Sequence, residues 1–340
     1  MKKTLRHILT AVAVCAATAA IFIFPSQIRD GVAQGLTLCA EVIIPSMFVF
    51  AVVAAFAAES GAAHAVSKPL SYIFSPIFKI PRAASCAILL SFICGYPIGA
   101  AGVSRLYKNG EIDLTTAKRM LAICVNASPT LVIVAIGDGL LGDMTVGWII
   151  YLSHIAASVI IGAVWSIFSK KPHKSKQTST SAPSIADAFV NATSSACSQM
   201  LIICGYVVLF CAVGEICGIL APWVATVLEV TSGAKWAVSA GLSVPMIAGI
   251  VGFGGVSVIC QVLSVARGII EPSVLIFTRV ANGILSFALC TAVMKVMRGS
   301  IEVLSNLGST AAELAVVTVP SSIAMLIMAA TFLLTVRRKN

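Results

Sequence analysis

Charge is the scarcest commodity in this chain: only 11% of its 340 residues are Asp, Glu, Lys or Arg, while 59% are apolar. Too little polar surface remains to coat a soluble globule of that length, so the composition excludes a water-borne domain and points to a bilayer. Acidic residues are rarer still, 13 against 23 basic ones, giving a formal net charge of +10. That excess calls for no nucleic acid, because Lys and Arg gather in the cytoplasmic loops of membrane proteins. The lipid bilayer is the expected partner and nucleic acid is not.

Catalytic signatures are missing too. The apolar runs hold no H-E-x-x-H, no paired carboxylates on one helix and no Ser/His/Asp constellation, so an enzyme is not expected. The cysteines number eleven, an odd count, and most of them, such as Cys15, Cys86 and Cys124, sit inside apolar runs without zinc or redox spacing. Neither a disulfide nor a metal is expected. Cys197, Cys204 and Cys211 recur every seven residues; a stripe of small residues lining a helix contact explains them better than a ligand set.

What the chain does have is hydrophobic runs of spanning length, at about 8–24, 37–58, 84–106, 118–137, 145–168, 198–221, 237–266, 273–294 and 312–336. The first has the basic head of a signal sequence but no convincing small-residue exit, so residues 1–25 are read as an uncleaved transmembrane helix. A basic, then Ser/Thr-rich stretch at 169–183 reads as a cytoplasmic linker. It divides residues 26–168 from 184–336, ahead of a basic tail at 337–340. Ser184 and Asp187 have capping-box spacing and open an interfacial helix before the next span.

The run at 84–106 is interrupted by Gly95-Tyr96-Pro97-Ile98-Gly99. If it enters and leaves on one side, then Lys68, Lys79, Arg82, Arg105, Lys108, Lys118 and Arg119 all fall inside, and Asp138 and Asp143 outside. A full crossing would expose two strongly basic loops, against the positive-inside bias. The stretch therefore reads as the tip of a re-entrant hairpin, with a Pro-kinked ordinary helix as the alternative. A second tip is expected at Gly252-Phe253-Gly254-Gly255, offset by 157 residues, and at the same offset Asp30 meets Asp187 and Gly61 meets Gly218. The expected fold is an all-α polytopic membrane protein with two inverted repeats, each containing a broken re-entrant hairpin. Its half-helix ends would offer unpaired main-chain groups to a solute near the midplane.

The stretches "IPSMFVF", "CGYPIGAAGVSRLYKNGEID", "VNASP" and "GFGGVSVICQ" together resemble the YlbJ-type sporulation integral membrane proteins, which carry the nucleoside-recognition or Gate domain also found in concentrative nucleoside transporters. The likeness runs from about Leu36 to Met297 in family order. It implies a transporter-like protein, with movement of dipicolinic acid across the outer forespore membrane as the best-understood family role. Two positions depart from the pattern: Ala101 stands where the family often has Lys, and Arg279-Val-Ala-Asn282 where it shows Arg-x-x-His. The expected function is secondary transport of a small anionic or heteroaromatic solute. The alternatives are a non-transporting assembly or regulatory subunit, or a nucleoside transporter. The location implied is a bacterial inner membrane, or the outer forespore membrane if the organism makes spores, and a second copy of the chain is a further conceivable partner.

Candidate solute-binding residues follow from the two tips and their polar neighbours: Gly95, Tyr96, Pro97, Gly99, Gly252, Phe253, Gly254 and Gly255, with Ser257 and Gln261 one and two turns beyond. Asn126 and Ser128 precede Pro129, which must disturb a helix and free carbonyls; Asn282 supplies a further amide. Arg279 lies several residues inside its run, either to pair a substrate carboxylate or to snorkel toward headgroups. Tyr96 and Phe253 could stack on a planar ring or simply pack. No cofactor is expected beyond a coupling proton or sodium ion, for which Glu41, Glu215 and His154 are the candidates, against readings as interfacial carboxylates and an interhelical hydrogen bond.

Overall fold

The computed structural model describes residues 2–169, 184–219 and 221–305, and the notion of a last span at 312–336 and a basic tail lies outside them, as does nearly all of the linker. Every regular element among the described residues is helical. In chain order they are α1 (Lys2–Ile23), α2 (Pro25–Leu38), a π-helical turn (Cys39–Ile43) leading into α3 (Ile44–Glu59), α4 (Ala62–Phe78), α5 (Ser85–Cys94), α6 (Tyr96–Lys108) and α7 (Leu114–Ile123). A π-helix (Thr130–Leu140) follows, then α8 (Met144–Ile167), α9 (Ile185–Gly218), α10 (Ala225–Leu228), α11 (Val230–Ser239), α12 (Val244–Phe253), α13 (Gly255–Val265) and α14 (Pro272–Ser305). The residues up to Lys295 pack as one compact unit.

Among the described residues, five helical stretches are long and apolar enough to cross a membrane: Pro25–Glu59, Met144–Ile167, Ile185–Gly218, Val244–Val265 and Pro272–Met297. Their outer faces carry side chains such as Leu201 and Phe277, 75% and 73% exposed. A water-facing surface would be polar at such positions, so the solvent these faces meet is lipid. This is a multi-pass integral membrane protein.

Two long rods form one wall of the bundle. α2, the π turn and α3 run through as a single 35-residue stretch, Pro25–Glu59. The π turn sits just ahead of Pro45: the N–H of Ile44 reaches back five residues to the Cys39 carbonyl. The widened turn lets the chain absorb a residue that has no N–H and whose ring would strike the preceding turn. The second rod is α9, 34 residues long. Ser184 caps it as its spacing predicts, accepting from the Asp187 N–H at 3.1 Å. The expected interfacial helix and the 198–221 run are thus one helix, because no breaker separates them.

The rods lie antiparallel. A Cβ placed on Gly31 would stand 2.6 Å from Ala212 Cα, one on Gly35 2.7 Å from Val208 Cα, and farther along Phe56 meets Phe189 edge-on at 6.1 Å. Cys39 Sγ bonds the Cys204 carbonyl at 3.9 Å, and Cys211 is buried in the same seam. Cys204 and Cys211 therefore serve the helix contact, while Cys197 is exposed. Without a hydrophobic drive in lipid, such close backbone approach is what binds helices together.

The first interruption folds back. Gly99 nests against Ser91, and Gly102 against Ala87, so α6 returns antiparallel along α5 about Gly95. The corner before it is sharp as well, with α4 and the segment from Arg82 bent by 105°. The second interruption differs from the expected hairpin. α12 and α13 do not lie side by side; they continue as one broken 22-residue span, Val244–Val265. The physical reason is the conformation at the break: Gly254 and Gly255 both take positive φ, 82° and 85°, and offset the helix axis instead of reversing the chain. The 118–137 run is not one span either. α7 stops at Ile123, residues 124–128 are non-helical, and Pro129 opens the π-helix.

The rod seam makes a direct prediction. Gly31→Leu should destabilise the detergent-solubilised protein by about 1–3 kcal/mol, as overpacking does, read as a fall in thermal midpoint, whereas Gly205→Ala, with nothing within 4 Å of its Cβ, should leave it unchanged.

Candidate functional site

The breaks converge. Residues 124–128, the α12 end at Phe253 and the α5–α6 tip all meet beside α8 and α14, and the polar side chains there are fully enclosed: Asn126, His154, Ser158 and Ser286 are 0% exposed and Arg279 and Asn282 1%. Unwinding a helix in an apolar interior frees carbonyls and N–H groups that cost several kcal/mol each in hydrocarbon unless paired, by order of magnitude. Each freed group therefore predicts a partner.

Arg279 supplies three. Its Nη1 donates to the Val125 carbonyl, its Nη2 to Gly252 and its Nε to Phe253 at 3.3 Å. One planar guanidinium thus closes the carbonyl side of two breaks, a task suited to its fixed fork of donors and unsuited to Lys. The Tyr96 ring lies under it, 5.9 Å from the guanidinium carbon, and the Tyr96 hydroxyl donates to the Val251 carbonyl at 2.7 Å. At the α5 end the Tyr151 hydroxyl donates to Phe92 at 2.8 Å. Close approach makes this possible. A Cβ on Gly252 would stand 2.5 Å from Ser286 Oγ and 2.9 Å from the Asn282 carbonyl, so only glycine lets α12 sit against α14 at this point.

A second set of side chains closes the residue 124–128 loop. The Ala127 N–H donates to His154 Nε2 at 3.0 Å. A backbone N–H can only donate, so Nε2 is the acceptor and the imidazole proton is on Nδ1. It then donates to Asn282 Oδ1 at 3.0 Å, which leaves Asn282 Nδ2 to donate to Ser158 Oγ at 2.7 Å. Turning that amide over would bring its nitrogen within 3.3 Å of the Gly252 carbonyl but leave the imidazole proton facing a donor. Ser158 Oγ donates to Asn126 Oδ1 at 2.5 Å, and Asn126 Nδ2 to the Ile123 carbonyl at 2.5 Å. The chain of donors thus starts and ends on the same unwound loop. Ser128 adds an end cap, accepting from the Leu131 N–H at 3.3 Å.

The structure sorts the sequence candidates. Tyr96, Asn126, Ser128, Arg279, Asn282 and His154 are brought together with Gly95, Gly252, Phe253 and Gly254. Gly99 is needed for approach: a Cβ there would lie 2.2 Å from the Cys124 carbonyl, and its neighbour Pro97 is buried in the first turn of α6. Ser257 and Gln261 are buried but bond each other at 3.1 Å, outside the His154 chain. Gly255 packs against the Leu228 carbonyl. Glu41 is exposed. Glu215 lies on a cavity of about 410 Å³ together with Gln27, Gln34, Glu229 and Lys235. Arg279 does not snorkel outward: it is 1% exposed, and each of its three nitrogens bonds the main chain.

Several members escaped the sequence reading. Ser158 stands four residues after His154, and Ser286 four after Asn282, which itself follows Arg279 by three; each spacing puts a polar stripe on one helix face, a signal that was there to be read. Ser91 joins at 3.5 Å from Asn126 Nδ2. Glu229, 3% exposed, caps α11 by accepting from the N–H groups of Thr231 and Ser232 at 2.9 and 2.7 Å, right beside Gly255. Burial pushes its carboxyl upward from the ordinary range, against those two donors.

Arg279→Gln should strand at least two of the three carbonyls, at about 1–3 kcal/mol apiece. Thermal unfolding in detergent is expected to show a large loss, and Arg279→Lys only partial recovery; full recovery by Lys would mean that charge, not the fork, matters.

Residues 40–211 match the Gate family, described as nucleoside recognition. That stretch holds α3, the α5–α6 tip, the 124–128 break and α8, whereas Arg279 and the Gly254 break lie beyond it. The chain is also 22% identical over 173 residues to the sporulation integral membrane protein YlbJ of Bacillus subtilis (strain 168), an alignment covering 50% of this chain and 42% of that protein. No solved structure matches. With more than half its length in the match, and with buried helix breaks inside it, this chain belongs to the Gate, or nucleoside recognition, family of integral membrane proteins.

Proposed function

We propose that this protein is a secondary transporter of a small polar solute, with the solute passing beside the interrupted helices. The carrying observation is that three breaks in membrane-depth helices share one buried centre, an expensive arrangement that plain packing does not require. At that centre α6 and α13 both begin, and Gly254 lies against the Tyr96 ring, so two helix N-termini come together while Arg279 occupies the carbonyl ends. N–H groups at helix starts suit an acceptor on a solute. The antiparallel pairing of the two rods is what inverted copies would produce, and the fold-back at Gly95 supports a re-entrant tip. A dipicolinate-type solute is the option the family resemblance suggests, and because the relative YlbJ is named a sporulation integral membrane protein, the outer forespore membrane is a matching location in a spore former.

Coupling to a proton or sodium ion belongs to this reading, and Glu229, unlike the exposed Glu41, is a buried carboxylate beside the Gly254–Gly255 break. Because its folded pKa is raised, the protonated form is favoured by folding, and the associated stability is present below the unfolded pKa and lost as pH rises through the folded value. Thermal stability should therefore fall across that rise in the native protein, and the dependence should flatten in Glu229→Gln.

Proteoliposomes carrying the full chain are expected to show saturable uptake from a panel of pyridine dicarboxylates and nucleosides, and Gly254→Val, strained at φ 82°, should reduce it severalfold without changing the oligomeric state. No flux across the panel, together with a co-purifying partner, would favour the assembly-subunit reading. Single cysteines introduced by Arg82→Cys and Asn109→Cys on a cysteine-free background should label from the same side; labelling from opposite sides would end the re-entrant tip.

A further inference from the structure

A cavity lies away from the break cluster, on the opposite flank of α6. It holds about 550 Å³, within the range of small-molecule sites. Its space comes from small side chains: Ala54 and Ala58 on α3, Ala87 on α5, Ala101 and Gly102 on α6. Gly102 is loosely packed, the nearest atom to a Cβ there being 3.8 Å away.

Its polar lining is unusual in a specific way. Among the described residues, seven buried side-chain polar atoms make no hydrogen bond, and three of them line this one cavity: Ser104 Oγ and Gln199 Oε1, and Glu111 Oε2, which has the His64 ring nitrogen 3.4 Å away. Ser104 is 3% exposed. Buried polar atoms are rarely left unpaired, so a cluster of them around a hollow marks a place where something else supplies the partner. The carboxylate and amide oxygens can only accept, and the hydroxyl can do either. The occupant must therefore donate.

Charge agrees with that polarity. Arg105 is paired with Glu59, and the only charge beside Glu111 is His64, 3.4 Å away and cationic only when protonated; Lys108, at the mouth, is exposed to solvent. Among the described residues the lining cations are thus an arginine paired with Glu59, a histidine beside Glu111 and a solvent-exposed lysine, so an anion inside the alanine-walled hollow meets no enclosed, unpaired cation to offset its desolvation.

We infer that this cavity binds a small flat or compact solute, neutral or singly cationic, that presents two or more N–H or O–H donors, and that it rejects carboxylates. The inference concerns equilibrium binding and stands independently of transport. It is tested on the full chain in lipid nanodiscs by saturation-transfer NMR with benzamide, benzamidine and benzoate, which share a ring and differ in donors and charge. Benzamide and benzamidine should receive saturation and benzoate should not. Gly102→Leu, which fills the hollow, should abolish the signal, and Gln199→Leu, on a half-buried face of α9, should weaken binding about three- to tenfold, the loss of one neutral hydrogen bond. Equal saturation of benzoate, a signal that empty discs reproduce, or indifference to Gly102→Leu would each overturn the assignment. Size-exclusion profiles and thermal midpoints of both variants separate a lost site from a lost fold. A failed uptake assay with intact benzamide binding would sink the transport reading alone.

Discussion

Everything near the middle of this bundle follows from one constraint: a peptide group set free in an apolar interior has no water to turn to. Three interruptions at Gly95, at residues 124–128 and at Gly254 release main-chain carbonyls and N–H groups, and the polar side chains of the core are there to receive them. Arg279, Tyr96, Tyr151, His154, Ser158, Asn282 and Asn126 are buried because the backbone requires them. The same logic explains why a cation can lie 1% exposed without a carboxylate beside it among the described residues. Carbonyl dipoles take the place of a counter-ion, and a guanidinium meets three of them at once where an ammonium could not hold the same geometry.

Much of this was legible in the sequence, and what was missed was missed for reasons of dimension. Gly95-Tyr96-Pro97 and the Pro129 interruption announce themselves because Gly and Pro act locally on the backbone. Arg279 stands out because a cation in an apolar run is anomalous anywhere. What the arginine touches is not local. Val125 lies 154 residues earlier in the chain, and no pattern around position 279 points to it. The second tip misled because Gly-Phe-Gly-Gly has the composition of a reversal, yet whether two positive-φ glycines reverse a helix or merely offset it depends on what α14 presents to it. Glu229 was passed over because it falls between apolar runs, where a carboxylate looks like a surface residue until α10 and α13 enclose it.

The two halves consequently share ingredients without sharing a shape. Each brings a long rod, and the rods pair antiparallel through Gly31 and Gly35. Each brings a glycine break. One break folds its helices back on each other and leaves an alanine-walled hollow on its outer flank; the other threads straight past, with its carbonyl end held by a guanidinium.

The arginine clamp also dictates an order of events during synthesis. A cation entering hydrocarbon on its own helix costs about 2.5–3.5 kcal/mol on insertion scales. Of the segments the clamp joins, α14 is made last, after Val125 and Gly252 have already emerged. Its helix can therefore enter a bilayer in which a ready cradle of carbonyls awaits the charge, and until it arrives the earlier breaks remain uncapped. The crossing that carries position 279 is thus the keystone of biogenesis: a ribosome stalled before it leaves behind a partial protein whose earlier breaks lack the guanidinium that closes them.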